Sequence, residues 1–351
     1  MRSLLKISIA QAAVFLVLLV VTESAVRVFY PDIWSQNLDV NLFDPFKYGE
    51  TYGYKARARG TEFGAVYVTD EHGFRINPKA MPFTAHERIV VLGDSVSVGI
   101  GVASDETYPS LLQEKIPNQR VINASVTGYG ITDYRRVLEK IVGDIKPNTA
   151  IIGICLNDPA APSQATIRAM IQKRTATSTA MPDAARYPNP IVRWLRHVND
   201  RYLDFNDVVK TYSRTYLFLK SLATDSSRDY FRADAVMYNE PGTVDRLASE
   251  FSRMKTAADA YGASLVLIVF PYEYQLRIQN EATRVPQRII QNAGVTAGVE
   301  IYDLYDDLLE SLASQQIPSQ SLYLFNDPMH FSPRGHRLVA DLIYRTLMDQ
   351  R

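Results

Sequence analysis

From residue 87 to the C-terminus, short apolar runs alternate with longer segments of helical character, and this alternation restricts the fold more than any other feature. The runs 89–92, 120–126, 150–156 and 265–270 have strand length and are rich in Val, Ile and Leu, and 300–303 is predicted to be a further short strand. Helical segments are predicted to begin near residue 108 and to span 133–145, 243–261, 285–297, 304–314 and 333–348. Strands that alternate with helices predict an α/β fold, a mostly parallel sheet covered by helices on both faces. The run 150–156 is apolar on both faces and is therefore expected to be central.

Capping residues predict where four of these helices begin, and Thr243 is expected to cap the helix that runs to Tyr261. Thr107 precedes a helix with Pro109 in its first turn, and Thr132 can cap the helix over 133–145. Ser332 is expected to cap the last helix, which has Pro333 at its first position.

The N-terminus carries an uncharged apolar stretch from Ile7 to Thr22, with Arg2 and Lys6 before it. Three interpretations remain open: a signal anchor, a cleaved signal peptide and a buried helix of a soluble protein. The stretch is slightly short for a spanning helix of about 20 residues, but Leu4, Leu5 and Lys6 extend it. Thr22 to Ala25 makes a poor cleavage site. The anchor interpretation predicts a single pass through the cell inner membrane, with the remainder in the periplasm or outside; cleavage would instead give a secreted protein.

The chain is predicted to have three parts. Residues 1–30 are the signal-anchor or transmembrane segment, and 31–85, rich in aromatic residues, Gly and Pro, form a small β-rich lead-in. Residues 86–351 form the main α/β domain. The strand–helix rhythm breaks between 160 and 240, which predicts a helical insertion that could roof the site.

Composition excludes several classes of function. The 38 basic residues balance the 38 acidic ones, and no basic run occurs, so a nucleic-acid partner is not expected. The single cysteine, Cys155, cannot form an internal disulfide and is expected to pack in the core. Apart from His330, no histidine pairs with another histidine or an acid at metal-ligand spacing, and Gly99-Ile100-Gly101 is not a dinucleotide-binding fingerprint, so neither a metal nor a cofactor is predicted.

Polar residues follow four of the predicted strands. They are Gly93 to Ser95, Thr127 and Gly128, Asn157 and Asp158, and, less regularly, Tyr272 and Glu273. The carboxyl ends of parallel strands meet at one edge of a sheet, where open α/β folds keep their sites. A fifth polar segment, Asn326 to His330, comes just before the last helix.

These segments contain what nucleophilic catalysis requires. Ser95 can be a nucleophile, His330 its base, and Asp327 the acceptor that orients the imidazole. The backbone amides of Ser95 and Gly128 and the side-chain amide of Asn157 are the predicted donors of an oxyanion hole. Asp94 is expected to point away from Ser95 and to brace the turn through backbone amides.

The same residues resemble the SGNH (GDSL-type) hydrolases, esterases with a three-layer α/β/α fold. Four blocks match in order: Gly93-Asp94-Ser95; Gly128; Cys155-Leu156-Asn157-Asp158; and Asp327-Pro328-Met329-His330. The resemblance implies a Ser95–His330–Asp327 triad, an oxyanion hole of Ser95, Gly128 and Asn157, and an acyl-enzyme intermediate. Cys155 departs from the pattern, because the third block usually has glycine there.

The lead-in is similar to that of membrane-anchored bacterial members of the family. It contains Thr69-Asp70-Glu71-His72-Gly73-Phe74-Arg75, which resembles an N-x-x-G-F-R segment. This resemblance implies an esterase acting on O-acetyl groups of an extracytoplasmic polysaccharide, with an acylated carbohydrate or other ester as substrate and the membrane as a partner. An O-acetyltransferase with the same triad, a lipase or thioesterase, and a non-catalytic glycan-binding subunit remain alternatives, because fold and triad do not define a substrate.

Overall fold

The computed structural model of the chain describes residues 2–30, 33, 37–78, 87–159, 190 and 208–349. The chain divides into two units, one of residues 1–37 and 178–225 and one of residues 38–177 and 226–351. Most of the predicted insertion at 160–240, and residues 31, 32, 34–36 and 79–85 of the predicted lead-in, lie outside the described residues.

The five predicted apolar runs form one parallel sheet in the second unit. Its strands are β5 (Glu87–Leu92), β6 (Gln119–Asn123), β7 (Thr149–Ile154), β8 (Ser264–Val269) and β9 (Ile301–Asp303), in the order β6-β5-β7-β8-β9. The register pairs Val90 with Ala150 and Ile151 with Val266. Strand β7 is central, as its apolar pattern predicted, and the α/β fold class is confirmed.

Helices flank this sheet in two layers. They are α2 (Ser95–Val98), α3 (Tyr108–Lys115), α4 (Ile131–Ile145), α6 (Ser226–Ala235), α7 (Thr243–Asp259), α8 (Glu273–Ile278), α9 (Val285–Ala297), α10 (Tyr305–Gln315) and α11 (Pro333–Asp349). Helix α7 packs against α4 and α9, and α11 packs against α3. Cys155 is buried in the core as predicted.

Two of the four predicted caps are confirmed; the prediction for Thr243 is wrong, because Thr243 is the first residue of α7 and Gly242 occupies the cap position. The Thr107 hydroxyl accepts from the Ser110 amide at 3.4 Å, and the Ser332 hydroxyl from the Gly335 amide at 3.2 Å. The prediction for Thr132 is wrong. Helix α4 begins two residues earlier than predicted, at Ile131 with Gly130 at the cap position, and the Asp133 carboxylate accepts from the Gly130 amide at 3.1 Å. An acid at this position bonds the backbone amide of the cap residue, as in one half of a capping box, and the Thr132 hydroxyl donates to Glu250 at 3.2 Å instead of capping the helix.

Strand β6 is also shorter than predicted, because it ends at Asn123 rather than at Val126. The chain beyond it continues to bond to β5 and its extension: the amides of Ala124 and Val126 donate to the carbonyls of Val91 and Gly93 at 2.9 and 3.1 Å. The apolar pattern therefore extends past the regular strand into the segment that leads to Gly128.

Two antiparallel hairpins precede the sheet, within the predicted lead-in. Strand β1 (Phe43–Asp44) pairs with β2 (Gly53–Tyr54), and β3 (Arg59–Glu62) pairs with β4 (Ala65–Val68). Further along, Arg75 pairs with Asn123 of β6 in an isolated antiparallel bridge. Since this segment buries its tyrosines in the same hydrophobic core as the sheet, it packs directly on the α/β domain.

The first unit contains helix α1 (Arg2–Phe29) and helix α5 (Arg214–Ala223). Residues 7–29 of α1 are long and apolar enough to cross a membrane, and residues 7–22 are exposed, unlike those of a core helix. The Glu23 carboxylate accepts from the backbone amides of Arg214 and Thr215, both at 3.0 Å. Glu23 thus satisfies donors at the beginning of α5 that the helix itself leaves free.

Candidate active site

Ser95 lies at the carboxyl edge of the sheet, as the first residue of the four-residue helix α2. Strand β5 ends at Leu92, and Gly93 turns the chain toward the helix. A Cβ atom on Gly93 would lie 2.1 Å from the Ser97 hydroxyl oxygen and 3.0 Å from the Gly153 carbonyl oxygen. Only glycine fits so tight a turn, and the turn presents the Ser95 hydroxyl beyond the end of the strand.

The structure brings Ser95, His330 and Asp327 into one hydrogen-bonded chain. The Ser95 Oγ lies 2.8 Å from His330 Nε2, and His330 Nδ1 lies 2.8 Å from Asp327 Oδ2. The side chains of His330 and Asp327 are 14% and 11% exposed, so the chain of bonds is shielded but still accessible. Both distances are within the range that a nucleophile, its base and an orienting carboxylate require.

The second oxygen of Asp327 fixes the turn that carries His330. Asp327 Oδ1 accepts from the backbone amides of Met329 and His330 at 2.9 and 2.8 Å. The amide of Leu324 donates to the carbonyl of His330 at 2.8 Å. Both oxygens of the carboxylate are therefore used, one for the turn and one for the imidazole.

The surroundings favour the protonated form of His330. Burial lowers its pKa, but the Asp327 charge, the hydrogen bond to Asp327 and the Asp94 charge outweigh burial, and the pKa lies above its ordinary value. An imidazolium at this position is stabilised by the same charges.

The Asp94 carboxylate contacts the Val96 amide and the Ser95 hydroxyl, and the sequence predicted only the first kind of contact. Its Oδ1 accepts from the Val96 amide at 2.8 Å, which confirms the expected brace of the turn. The prediction that it points away from Ser95 is wrong, since the Ser95 hydroxyl lies 3.3 Å from Asp94 Oδ2. The cap position places both oxygens over the first turn of α2. Burial raises the pKa of Asp94, against the opposing charge of His330 and the Val96 hydrogen bond.

The three predicted oxyanion donors follow three adjacent strands. Ser95 follows β5, Gly128 follows β6 on one side, and Asn157 follows β7 on the other. Gly128 has a φ of +80°, a backbone conformation that favours glycine. The loop that carries Asn157 is held from within, because Asp158 Oδ2 accepts from the Cys155 amide at 2.7 Å.

The fourth strand end, Tyr272 and Glu273, supports the site rather than joining the Ser–His–Asp chain. The Glu273 amide donates to the Pro328 carbonyl at 2.9 Å, which supports the turn between Asp327 and His330. The Glu273 carboxylate is buried and bonds the Ser319 hydroxyl at 2.7 Å.

Phe63 is a neighbour of the site that sequence reasoning missed. It lies at the tip of the β3–β4 hairpin with a φ of +48°, which is costly for a residue with a side chain. Its ring centroid lies 6.0 Å from that of His330. The Phe63–Gly64 pair between two strand-like runs is a recognisable hairpin signal, but only the tertiary fold shows that this tip reaches the histidine.

A parallel sheet that presents a hydrogen-bonded serine, histidine and aspartate at its carboxyl edge has the architecture of a serine hydrolase. Residues 91–338 match the model of the GDSL-like lipase/acylhydrolase family. This match spans more than half of the chain, and the protein belongs to that family of ester-hydrolysing enzymes. The resemblance read from the four sequence blocks is thereby confirmed.

Several solved structures are similar to this chain at low identity. TesA matches with 14% identity and a TM-score of 0.42, covering 74% of this chain and 98% of its own. A lipase/acylhydrolase from Enterococcus faecalis has 18% identity and a TM-score of 0.40, with 75% and 96% covered. An acetyl xylan esterase, AlAXEase, has 14% identity and a TM-score of 0.41, with 74% and 98% covered. No curated protein matches the sequence significantly.

Proposed function

We propose that this protein is a membrane-anchored esterase that removes O-acetyl groups from an extracytoplasmic polysaccharide, with Ser95 as nucleophile, His330 as base and Asp327 as its orienting group. The observation that carries the mechanism is the pair of 2.8 Å contacts that joins Ser95 to His330 and His330 to Asp327. A serine that only closed a turn would not require a shielded imidazole at this distance.

The reaction would proceed through an acyl-enzyme. His330 Nε2 takes the proton of the Ser95 hydroxyl as Oγ attacks the ester carbonyl, and Asp327 stabilises the imidazolium. The tetrahedral intermediate collapses when His330 returns the proton to the leaving sugar oxygen, which departs as a hydroxyl group. Water, activated by the same histidine, then releases acetate.

The negative charge of the tetrahedral intermediate would be stabilised by the amides of Ser95 and Gly128 and by the side chain of Asn157. All three follow strands that lie next to each other in the sheet. Donors on a rigid sheet edge need no reorganisation when the charge develops, which is the main advantage of a preformed oxyanion hole.

The substrate and the location rest on different grounds from the mechanism. The lead-in resembles that of membrane-anchored relatives that act on polysaccharide acetyl groups, and helix α1 is long and apolar enough to span a membrane. Arg2 and Lys6 on the N-terminal side of α1 favour a cytoplasmic N-terminus and an external catalytic domain.

The test is hydrolysis of a chromogenic acetyl ester by the purified protein, with and without an acceptor glycan. Ser95→Ala should abolish turnover and labelling by a fluorophosphonate while the melting temperature stays near that of the wild type. Ser252→Ala, which changes an exposed serine on α7, serves as the matched control. Full turnover by Ser95→Ala would refute Ser95 as the nucleophile.

The acceptor arm of the experiment separates hydrolysis from transfer. An esterase releases acetate at a rate that the glycan does not change. If the glycan becomes acetylated at the expense of acetate release, the same triad serves an O-acetyltransferase.

A further inference from the structure

The segment that leads into Gly128 is bonded to the lead-in through every polar group of Thr127. The Thr127 hydroxyl donates to the Glu62 carboxylate at 2.9 Å. Its amide donates to the Tyr54 hydroxyl at 3.3 Å, and its carbonyl accepts from the Tyr52 hydroxyl at 2.9 Å. Tyr54 also donates to Glu62, at 3.0 Å. The residue just before Gly128 is therefore held by three side chains from the lead-in.

A second part of the lead-in holds the helix that begins with Ser95. Arg75 is buried, and its Nη1 donates to the carbonyls of Val98 and Gly99 at 2.8 and 2.6 Å. Its Nη2 donates to the carbonyl of Val102 at 2.7 Å. These carbonyls lie at and just beyond the C-terminal end of α2, where a cation interacts favourably with the helix.

Tyr67 lies between these two groups of contacts. The Arg75 guanidinium carbon is 3.8 Å from the Tyr67 ring centroid, and the rings of Tyr67 and Tyr54 are 5.8 Å apart. Arg75 and the Glu62–Tyr54 pair are thus parts of one packed unit built from the β3–β4 hairpin and the segments on either side of it.

We propose that this unit of the lead-in positions the two backbone oxyanion donors relative to each other, with Arg75 holding the helix of Ser95 and Glu62 holding the segment of Gly128. The proposal rests on the function proposed above, in which both amides stabilise the oxyanion. Glu62 and Arg75 are positioning residues in this view, since Glu62 acts through the Thr127 hydroxyl and Arg75 acts through the backbone carbonyls at the end of α2.

The electrostatics of Glu62 supports a positional role. Burial raises its pKa to about 7, although the hydrogen bonds from Thr127 and Tyr54, the Arg75 charge and the Tyr67 hydroxyl oppose the shift. Burying a carboxyl group costs free energy, and a protein with an apolar residue of similar size at such a position is often as stable or more stable. The hydrogen bonds that Glu62 accepts from the hydroxyl groups of Thr127 and Tyr54 explain its presence better than packing does.

The proposal predicts a specific kinetic signature. The oxyanion exists only near the transition state, so displaced donors should lower kcat and leave KM nearly unchanged. Glu62→Leu removes the acceptor, and Thr127→Val removes one hydroxyl donor with less disturbance. Each should reduce kcat about tenfold or more, whereas Glu62→Gln keeps a carbonyl acceptor and should restore most of the activity.

A boronic acid inhibitor provides a readout that a purely structural role would not move. Ser95 Oγ adds to boron, His330 takes the hydroxyl proton, and one boronate oxygen occupies the position of the oxyanion. The inhibition constant should rise by about the same factor as kcat falls in Glu62→Leu and Thr127→Val. The control is Arg59→Gln, which removes an exposed charge from the same hairpin and should leave both kcat and the inhibition constant unchanged.

The experiment uses the full-length protein and two variants so that a folding failure of Glu62→Leu leaves Thr127→Val to decide. Folded Thr127→Val protein with wild-type kcat and wild-type boronate affinity would overturn the proposal. A rise in KM with unchanged kcat would also overturn it, because that result places the unit in ground-state binding. If the Ser95→Ala protein stays active, the proposed function itself is refuted. If Ser95→Ala abolishes activity but Thr127→Val leaves kcat and boronate affinity unchanged, only this inference is refuted.

Discussion

Replacing Asp327 by asparagine tests the orientation of His330 with no change in side-chain size. Asp327 Oδ1 accepts two backbone amides, so the asparagine must keep its carbonyl oxygen at that position. Its amide group then faces His330 Nδ1, where the carboxylate oxygen lies at 2.8 Å in the wild type. A donor at this position forces Nδ1 to accept and leaves the proton on Nε2, so the imidazole cannot take the proton of Ser95.

The loss expected from this change is large. An inverted tautomer at a Ser–His–Asp site costs roughly 10⁴ in kcat, or about 5 kcal/mol of transition-state stabilisation. The two backbone hydrogen bonds that remain should keep the turn folded, so the free energy of unfolding should change by only about 1 kcal/mol.

The pH profile provides a second, independent signature. Asp327 opposes the effect of burial and raises the pKa of His330 above its ordinary 6.5, so the acidic limb of kcat/KM in the wild type should have its midpoint above that value. Removing the Asp327 charge lowers the pKa, and the limb should move to lower pH.

The assay is hydrolysis of a chromogenic acetyl ester between about pH 4 and 9, with unfolding followed in denaturant. Asp307→Asn, an exposed acid on α10, is the matched control. An Asp327→Asn enzyme with wild-type kcat and an unmoved acidic limb would refute the orienting role.

Three further changes test other parts of the structure. The pKa of Glu62 is raised from 4.5 to about 7. Folding therefore favours the protonated form, and the stability that this form contributes is lost as the pH rises from 4.5 through 7. Glu62→Gln should reduce this pH dependence of the unfolding free energy by up to about 3 kcal/mol, as measured by denaturant unfolding at several pH values. Phe63→Ala should lower kcat/KM about fivefold for esters of bulky alcohols and little for methyl esters, because the ring lies beside His330, the proposed acid for the leaving group; equal losses for both series would contradict a role of Phe63 in leaving-group binding. Cys155→Gly should cost about 2 kcal/mol of unfolding free energy with activity preserved, since the side chain is fully buried.

Much of the α/β fold follows from local pattern. The apolar runs and the helices between them were predictable because burial on a sheet imposes short apolar stretches and burial on one helix face imposes a 3.6-residue period. Thr107 and Ser332 were predictable as caps for the same local reason. The prediction for Thr132 was wrong because the helix begins two residues earlier, with Gly130 at the cap position, and the Thr132 hydroxyl bonds Glu250, a contact with a distant helix that local pattern does not contain.

The candidate site likewise contains residues that local pattern could predict and residues that it could not. Ser95, Gly128 and Asn157 could be placed together from sequence, since each follows a predicted strand and parallel strands end at one edge. Phe63 and Glu62 could not, because nothing in a short hairpin indicates which distant segment it will contact. The second contact of Asp94 also depended on the cap geometry of α2.

The sequence by itself determined the kind of sheet and the segments at its carboxyl edge, and it predicted the residues that we propose as nucleophile, base and oxyanion donors. These are short-range properties, written in periodicity and in the residues that follow each strand. The tertiary structure decided the strand order, the 2.8 Å contact between Ser95 and His330 and the contacts from Glu62 and Arg75 to the Gly128 segment and to helix α2. Such contacts join residues far apart in the chain, and they exist only after the core has packed and the lead-in lies against the sheet.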